Sequence, residues 1–387
     1  MTTVLVASVI ATKCRNGGNA RAVLNWIHGL SKLGVQVYYV EQIASEHCTD
    51  DRGQPAPFAE STNVAYFEHV MREAGLTRAS ALVCNGGPET CGVGYRELLD
   101  VAEAADLLLN VSGHLTLEPL LRRLRRKAYL DLDPGFTQFW HAAGQDGARV
   151  SGHDFHFTIG ENIGTHGCGI PCGGIRWRHT RQPAVLTDDE WRPSPWTGRF
   201  TTIASWRGPY GPIQHGAATY GLKVHEFRKL IDLPRRASAE FEIALDIHPG
   251  DARDLHLLRE HGWRVVDPRG VVPDPQSFDD YIQGSDAECS AAQGVYVATN
   301  SGWFSDRTVR YLAAGKPALV QDTGFSRTYP VGEGLVAFRT VEDAVRGVAA
   351  IQADPRRHQQ ASRALAAEFF DSNRVIGRLL DEVGLAA

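Results

Sequence analysis

The 387-residue sequence has no long apolar run and few cysteines, and these absences exclude several classes of protein. No apolar stretch approaches the roughly 20 residues that span a bilayer, so no membrane span is expected. Residues 1–6 enter a strand-like run without a basic segment or a cleavage site, so no signal peptide is expected. Seven scattered cysteines, an odd number, indicate reduced thiols and a cytoplasmic protein.

Positive charge is not in excess, since 40 Lys and Arg residues face 45 Asp and Glu residues, for a net charge of −5. A protein whose main partner is a nucleic-acid backbone carries a basic surplus, so no nucleic acid is expected as a partner. Charged residues at 22% and hydrophobic residues at 43% are typical of a globular chain. A chain of this length is long enough for two domains, each with its own core.

Short apolar runs alternate with helical periods in both halves of the chain. Strands are predicted at residues 4–10, 35–40, 81–83, 106–111, 127–131, 154–159, 200–206, 241–247, 263–266, 294–298, 317–321 and 336–338. Helices are predicted at residues 20–33, 67–74, 95–105, 115–126, 224–231, 251–261, 278–283, 307–314, 341–351 and 356–385. This alternation predicts an α/β fold with parallel sheets covered on both faces.

Residues 165–199 interrupt the alternation with many Gly and Pro residues and three Trp residues, which is typical of a packed crossover between domains. We therefore predict two Rossmann-like, doubly wound domains, 1–190 with the linker and 198–387 with the C-terminal helices. A ligand cleft is expected where the carboxyl ends of the two sets of strands face each other.

The segment from Ser301 to Phe325 carries the strongest local signal. Ser305 is a good N-cap, Gly315 ends the helix, and a strand then leads to Gln-Asp-Thr-Gly at 321–324. The free N–H groups of a helix N-terminus suit a diphosphate, and Arg307 and Thr308 in the first turn add a cation and a hydroxyl. A capped packing helix followed by a turn is the structural alternative.

This segment, with Ala287-Glu288-Cys289-Ser290 before it, resembles the donor half of GT-B glycosyltransferases. Over residues 280–350 it is similar to a bacterial subgroup of family 1/4 type, the spore-maturation-protein-like glycosyltransferases. The resemblance implies transfer of a sugar from a nucleoside-diphosphate sugar to a small-molecule or glycan acceptor, which binds against the first domain. It implies phosphate and donor-sugar contacts from the residues Ser305, Asp306, Arg307, Thr308, Asp322, Thr323 and Gly324.

The sequence departs from this family at the Glu-x7-Glu motif that many retaining members carry. The two positions are Gly302 and Arg310 here, so neither ribose recognition nor the stereochemistry follows from the resemblance. Neither a metal nor an additional cofactor is expected, because Arg and Lys side chains can stabilise a departing diphosphate. Arg207 and Lys223, on either side of the Gly/Pro loop 208–212, are the predicted cations. Two surface cations near a turn are the alternative.

Polar groups that follow the strands of the first domain are candidates for the reaction itself. Gly17 and Gly18 open the first helix, where backbone can approach phosphate or sugar, although an ordinary tight turn explains them too. His114 and Asp133 each follow a predicted strand, and either can deprotonate an acceptor if it lies near the attacking oxygen. A capping or structural role is the alternative for both. The G-x-G-x-x-G spacing of dinucleotide enzymes is missing, which argues against an NAD(P) oxidoreductase.

Three further interpretations remain from the sequence. Glu288 can accept from a nucleobase or a ribose, or it is an exposed helix carboxylate. The residues with metal-like spacing lack the Cys-x2-Cys pairing of zinc sites, so no metal site is predicted for His153, His156, His166, Cys168, Cys172 and His179. A sugar-nucleotide epimerase or hydrolase and a non-catalytic two-lobed binding protein are the two rivals to a glycosyltransferase. A homodimer is compatible with each of these three functions.

Overall fold

The computed structural model describes residues 1–187 and 195–385. Within these residues the chain forms an eight-stranded sheet followed by a six-stranded sheet, so the predicted α/β class is confirmed. The ends of the predicted domains at 188–190 and 386–387, and the central part of the predicted crossover at 188–194, lie outside the described residues. None of the described helices is both long and apolar enough to cross a bilayer.

The first sheet has the strand order β4-β3-β2-β1-β5-β6-β7-β8, and only the β3–β4 pair is antiparallel. Its strands are β1 Thr3–Ala7, β2 Gln36–Ile43, β3 Ser80–Cys84, β4 Thr90–Gly92, β5 Leu107–Val111, β6 Lys127–Asp131, β7 Phe155–Thr158 and β8 Trp177–His179. The second sheet has the order β13-β12-β9-β14-β15-β16 and is parallel throughout. Its strands are β9 Arg199–Ser205, β12 Glu240–Asp246, β13 Trp263–Val266, β14 Ala287–Ser290, β15 Ala318–Gln321 and β16 Leu335–Phe338, while β10 Ile213–His215 and β11 Ala218–Tyr220 form a separate hairpin.

Helices cover both faces of each sheet, because the strands are apolar on both sides. In the first domain these are α1 Gly17–Lys32, α2 Thr62–Glu73, α3 Tyr95–Ala104, α4 Glu118–Leu121 and α5 Phe136–Ala142. The rest of the chain holds α6 Lys223–Arg228, α7 Leu233–Arg236, α8 Ala252–Glu260, α9 Pro268–Val271, α10 Pro275–Gln283, α11 Gly294–Ala298, α12 Asp306–Ala313, α13 Val341–Ala353, α14 Pro355–Leu365 and α15 Ser372–Glu382. Alternate residues of β1 belong to opposite cores: Val4 and Val6 pack with α1 and α2, and Leu5 packs with α3.

The last helix, α15, joins the core of the first sheet instead of the second. Val375, Ile376, Leu379 and Leu380 are buried in the same cluster as Val4 and Val6. The sequence-based division assigned all C-terminal helices to the second domain, because their amphipathic period does not reveal which core they cover. An apolar face predicts that a helix packs against a core, but only the fold determines which core it joins.

Two element predictions were wrong. Residues 294–298 form α11 instead of a strand, since a short apolar run has the same pattern in a buried helix and a buried strand. The strand is Ala287–Ser290, where a charged Glu288 hides the pattern. Residues 115–126 were predicted as one helix, but only Glu118–Leu121 is helical. The apolar period does continue to Leu124, but the chain turns at 122–123, and Leu124 reaches the same core from the segment that leads into β6.

Candidate functional site

A cavity of about 450 Å³ lies where the carboxyl ends of both sets of strands face each other. From the first domain it is lined by residues after β1, β5 and β6, among them Lys13, His114 and Asp133. From the second domain it is lined by residues after β9, β12 and β13 and by the start of α12, among them Lys223 and Arg307. Strand ends of parallel sheets carry the ligand sites of doubly wound folds, so this cavity is the candidate site.

Lys223, the first residue of α6, is a partly buried cation that the second domain presents to the cleft. Its backbone N–H donates to Gln293 Oε1 at 2.6 Å, which anchors the start of α6. Burial and the charge of Arg307 lower the pKa of the Lys223 ammonium to about 8, whereas the charges of Asp306, Glu288 and Asp133 oppose this shift. The ammonium is therefore mostly protonated at neutral pH, and its partial burial reduces the screening of its charge by water.

Arg307 is held towards the cavity by two fixed partners. Its Nε donates to Glu288 Oε1 at 2.7 Å, and its Nη1 donates to the carbonyl oxygen of Ile203 at 2.7 Å. Glu288 is fully buried on β14 and does not line the cavity, so its predicted contact with a nucleobase or ribose is wrong. Glu288 instead balances the charge of Arg307, as a buried carboxylate requires.

The first turn of α12 is only partly available to an anion. Ser305 is the N-cap residue, but its side chain makes no capping hydrogen bond, and Ser305 and Thr308 are buried beside a small void outside the cleft. Asp306 lines the cleft. Burial raises the pKa of the Asp306 carboxyl, whereas the charge of Arg307 and the backbone amides of Arg307 and Asp306 oppose that rise. The carboxyl group of Asp306 thus lies at the positive N-terminal end of α12, where the sequence predicted a phosphate group.

His114 follows β5 in a tight turn that is fixed by Asn110. The Asn110 side chain bonds both the N–H and the carbonyl of Leu115, at 3.0 and 3.1 Å. Burial, together with the charges of Lys13 and Arg149, lowers the pKa of His114 to about 3. The imidazole is therefore neutral at physiological pH, but a pKa this low also makes it a weak base, since an effective general base has a pKa close to the working pH.

Asp133 follows β6 and faces the second domain. The hydroxyl of Tyr296 donates to Asp133 Oδ1 at 3.2 Å. Burial raises the pKa of Asp133, while the charges of Lys13 and Lys223 and the Tyr296 bond lower it. Both predicted catalytic candidates, His114 and Asp133, thus line the same cavity as Lys223.

Other predicted site residues lie elsewhere. Arg207 is half-exposed and binds Asp251 through Nε and Nη2 at 2.8 and 2.5 Å, in an adjoining cavity. Gly18 lines the cleft, whereas Gly17 contacts the second domain, where its N–H donates to the carbonyl of Val272 at 3.1 Å. The structure therefore does not bring Arg207 together with Lys223. Arg207 forms an exposed ion pair with Asp251, which agrees with the alternative of a surface cation near a turn.

The predicted sugar-binding segment is also turned away from the cleft. Asp322 binds Arg339 at 2.8 Å and Ser326 at 2.8 Å, and the hydroxyl of Thr323 donates to the carbonyl of Trp303 at 2.6 Å. The side-chain amide of Asn162 donates to the carbonyl of Gly324 at 3.1 Å and covers this turn. The family resemblance implied a donor-sugar role for these residues, but in the structure their side chains bind other protein groups outside the cleft.

Several cleft residues were missed by the sequence analysis: Lys13, Tyr210, Asp246, Arg269 and Trp303. Lys13 and Arg269 follow strands and Asp246 is the last residue of β12, so the rule that selected His114 and Asp133 could have found them. Tyr210 gave no such signal, because its loop reaches the cavity only in the folded chain. Within the described residues, no three His, Cys, Asp or Glu side chains are grouped closely enough to hold a metal ion.

Two parallel α/β sheets that face a common cleft define the GT-B fold, and this chain has it. The chain is similar to an alpha-glucosyltransferase solved in complex with UDP and a 13-mer DNA, with 11% identity, 99% of each chain covered and a TM-score of 0.60. It is similar to Anabaena Alr3699/HepE in complex with UDP and glucose, with 11% identity, 99% of this chain and 100% of that chain covered, and a TM-score of 0.60. No family model and no curated protein matches the sequence.

Proposed function

We propose that this chain is a glycosyltransferase that moves a sugar from a nucleoside-diphosphate sugar to a small-molecule or glycan acceptor. The observation that carries the proposal is one cavity lined by partly buried Lys223 and hydrogen-bonded Arg307 from the second domain and by neutral His114 and the carboxyl group of Asp133 from the first. Such a set supplies cations for a leaving diphosphate and acceptors for a proton. The similar Anabaena Alr3699/HepE was solved in complex with UDP and glucose and with UDP-glucose, which favours a uridine donor.

The donor is proposed to lie along the second domain. Its diphosphate sits between Lys223 and Arg307, and its nucleoside lies on the ends of β9, β12 and β13, against Ser205, Asp246 and Arg269. The sugar then points towards the first domain, where the acceptor binds. Trp303 lines the cavity close to Tyr296, with ring centroids 4.6 Å apart, and provides an apolar face for a sugar ring.

The reaction breaks the bond between the anomeric carbon and the diphosphate oxygen, and that oxygen takes the bonding electrons. Lys223 and Arg307 stabilise this charge, so we propose that neither metal nor cofactor takes part. Neutral His114 takes the proton of the acceptor hydroxyl as the new glycosidic bond forms. Asp133, close enough to Lys223 for the two charges to interact, stabilises the positive charge that develops on the sugar ring.

Narrower assignments belong to the same proposal. The motif at 301–325 supports membership of the spore-maturation-protein-like subgroup of GT-B glycosyltransferases. The scarce, scattered cysteines, all free within the described residues, support a cytoplasmic location. The acidic net charge favours an acceptor other than nucleic acid. A homodimer is compatible with these features.

Titration calorimetry with UDP, followed by incubation with UDP-glucose and a panel of sugar and small-molecule acceptors, tests the proposal. Lys223→Ala should weaken UDP binding and lower turnover about 100-fold or more, as loss of one preorganised charge does. Lys229→Ala is the matched control, because Lys229 ends the same helix but is exposed and paired with Glu226.

Each other outcome contradicts transfer in its own way. Failure to bind UDP or any other nucleoside diphosphate removes the donor site altogether. Binding without turnover on any acceptor points to a two-lobed binding protein. Release of free sugar or of an epimerised donor points to a hydrolase or an epimerase in the same cleft.

A further inference from the structure

Glu41, on β2, is a buried carboxyl group of the first domain whose hydrogen-bond partners are backbone N–H groups and hydroxyl groups instead of a cation. Only 1% of the residue is exposed. Its Oε2 accepts from the backbone N–H of Ile10 and Ala11 at 2.7 and 2.8 Å and from the hydroxyl of Tyr39 at 3.1 Å. Its Oε1 accepts from the N–H and the hydroxyl of Thr12 at 2.8 and 2.7 Å. Five hydrogen bonds therefore converge on one side chain.

A buried charge without a counter-ion is costly, so the groups that solvate it are fixed in place. Three consecutive amides aimed at one anion form a nest, which sets the backbone of the turn that supplies them. Two further side chains bind the same loop: Asn63 Nδ2 donates to the carbonyl of Ala11 at 2.8 Å, and Asn19 Nδ2 donates to that of Val9 at 2.6 Å. The loop between β1 and α1, residues 8–16, is thus fixed by hydrogen bonds from the side chains of Glu41, Asn63 and Asn19.

The same loop forms one wall of the cleft. Ser8, Val9, Lys13 and Asn16 all line the cavity, and Lys13 directly follows the last amide of the nest. The charge of Lys13 lowers the pKa of both His114 and Asp133, so its ammonium lies near both groups. Movement of this loop would therefore displace a cation from the two proposed catalytic residues.

We propose that Glu41 is a positioning residue: it fixes the loop 8–16 so that Lys13 stays beside His114 and Asp133. Glu41 does not line the cavity and acts only through the loop. The catalytic consequence rests on the proposed function, whereas the fixing of the loop does not.

The experiment combines hydrogen exchange with a double-mutant cycle. Glu41→Gln keeps the shape of the side chain but replaces one acceptor oxygen with a donor that faces the amides. Thr12→Val, at an exposed residue, removes a single bond to Glu41. Asp286→Asn is the matched control, since Asp286 is also a buried carboxylate that accepts from the N–H and hydroxyl of Thr197, at 2.9 and 2.6 Å, but lies outside the cavity.

We expect Glu41→Gln to speed amide exchange in residues 8–16 by about tenfold or more, Thr12→Val to do so by less, and Asp286→Asn to leave it unchanged. With UDP-glucose as donor, Glu41→Gln should lower kcat/KM about tenfold in the wild-type background and less than about threefold in a Lys13→Ala background. Thr12→Val should show the same dependence on Lys13, which serves if Glu41→Gln does not fold.

Unchanged exchange in residues 8–16, or equal losses of kcat/KM with and without Lys13, would overturn the role of Glu41. If the wild-type protein binds no UDP, the proposed function fails, but the exchange comparison still decides whether Glu41 fixes the loop. The two failures are therefore distinguishable.

Discussion

Burial shifts the two most important ionisable side chains of the cleft in the same direction but with opposite consequences. Because burial disfavours the charged form, the pKa of Lys223 falls to about 8 and that of His114 falls to about 3. At neutral pH Lys223 therefore keeps its proton and His114 has none. Lys223 thus remains a cation for a diphosphate in spite of its burial, whereas the same shift leaves His114 a neutral and weak base for an acceptor.

The alkaline side of the pH profile should report Lys223. Its charge is present below its pKa and is lost as the pH rises through about 8, so kcat/KM for the donor should decline above that pH. Lys223→Arg keeps its charge at any accessible pH, because the guanidinium pKa exceeds about 12, and the decline should disappear. Initial rates measured across this range check the prediction.

His114→Gln serves as the control for this profile. The substitution should lower kcat about 100-fold or more at every pH, with the decline above pH 8 and the affinity for UDP unchanged. A decline that persists in Lys223→Arg would assign the alkaline limb to another group.

Among the secondary-structure elements, the N-terminus of α1 makes the contact with the second domain. A Cβ atom on Gly17 would lie 2.1 Å from the carbonyl oxygen of Asp274, and one on Gly18 would lie 2.9 Å from Phe278. One turn further, Arg21 binds Asp279 at 2.5 Å, and Asp279 also binds Arg310 at 3.1 Å. The glycine pair thus serves close packing between domains, and Arg310 takes part in that contact.

Gly17→Ala should therefore destabilise the protein by about 1–3 kcal/mol, because the backbone of Asp274 cannot yield as a flexible side chain can. Gly377→Ala is the control, since Gly377 lies in α15 with open space around it. That substitution should stabilise the protein by about 0.5–1 kcal/mol through helix propensity. Urea unfolding of both variants gives the comparison, and a neutral Gly17→Ala would contradict the close contact.

In the molecule as a whole, the two domains are joined at several separate places. Asn162 donates from its backbone N–H to Ser301 and from its side chain to Asn300 and Gly324, at 3.1, 2.9 and 3.1 Å. The helix α15 returns from the second sheet to the core of the first. These connections couple the stability of one domain to that of the other.

We therefore expect one cooperative thermal transition, which UDP raises. At 100 times its dissociation constant, UDP should add about 2.7 kcal/mol to the free energy of unfolding. EDTA should leave both this increase and the transferase activity unchanged, because Lys223 and Arg307 supply the positive charge. Calorimetry with and without EDTA measures this; two separate transitions would contradict the coupling, and loss of the UDP effect would contradict a metal-free site.

Much of the fold and part of the site could be predicted because the signals are local. The helix after Ser305 ends before Gly315, as predicted, since a left-handed glycine ends a helix within one turn. Ser305 holds the N-cap position without the predicted side-chain hydrogen bond. His114 and Asp133 line the cleft as predicted, because residues that follow parallel strands all lie at the same edge of the sheet. Arg207 also follows a strand, yet it forms an ion pair with Asp251, which is distant in sequence and close in space.

The order of apolar runs and helical periods was enough to specify two α/β sheets with facing strand ends, because burial on both faces of a parallel strand leaves a direct mark on composition. Which cation faces the cleft was decided by tertiary structure alone. Arg307, Glu288 and Ile203 meet from three separate segments, and α15 crosses back to the first core. Hydrogen bonds and charges act over a few ångströms in space, and sequence separation carries no measure of that distance.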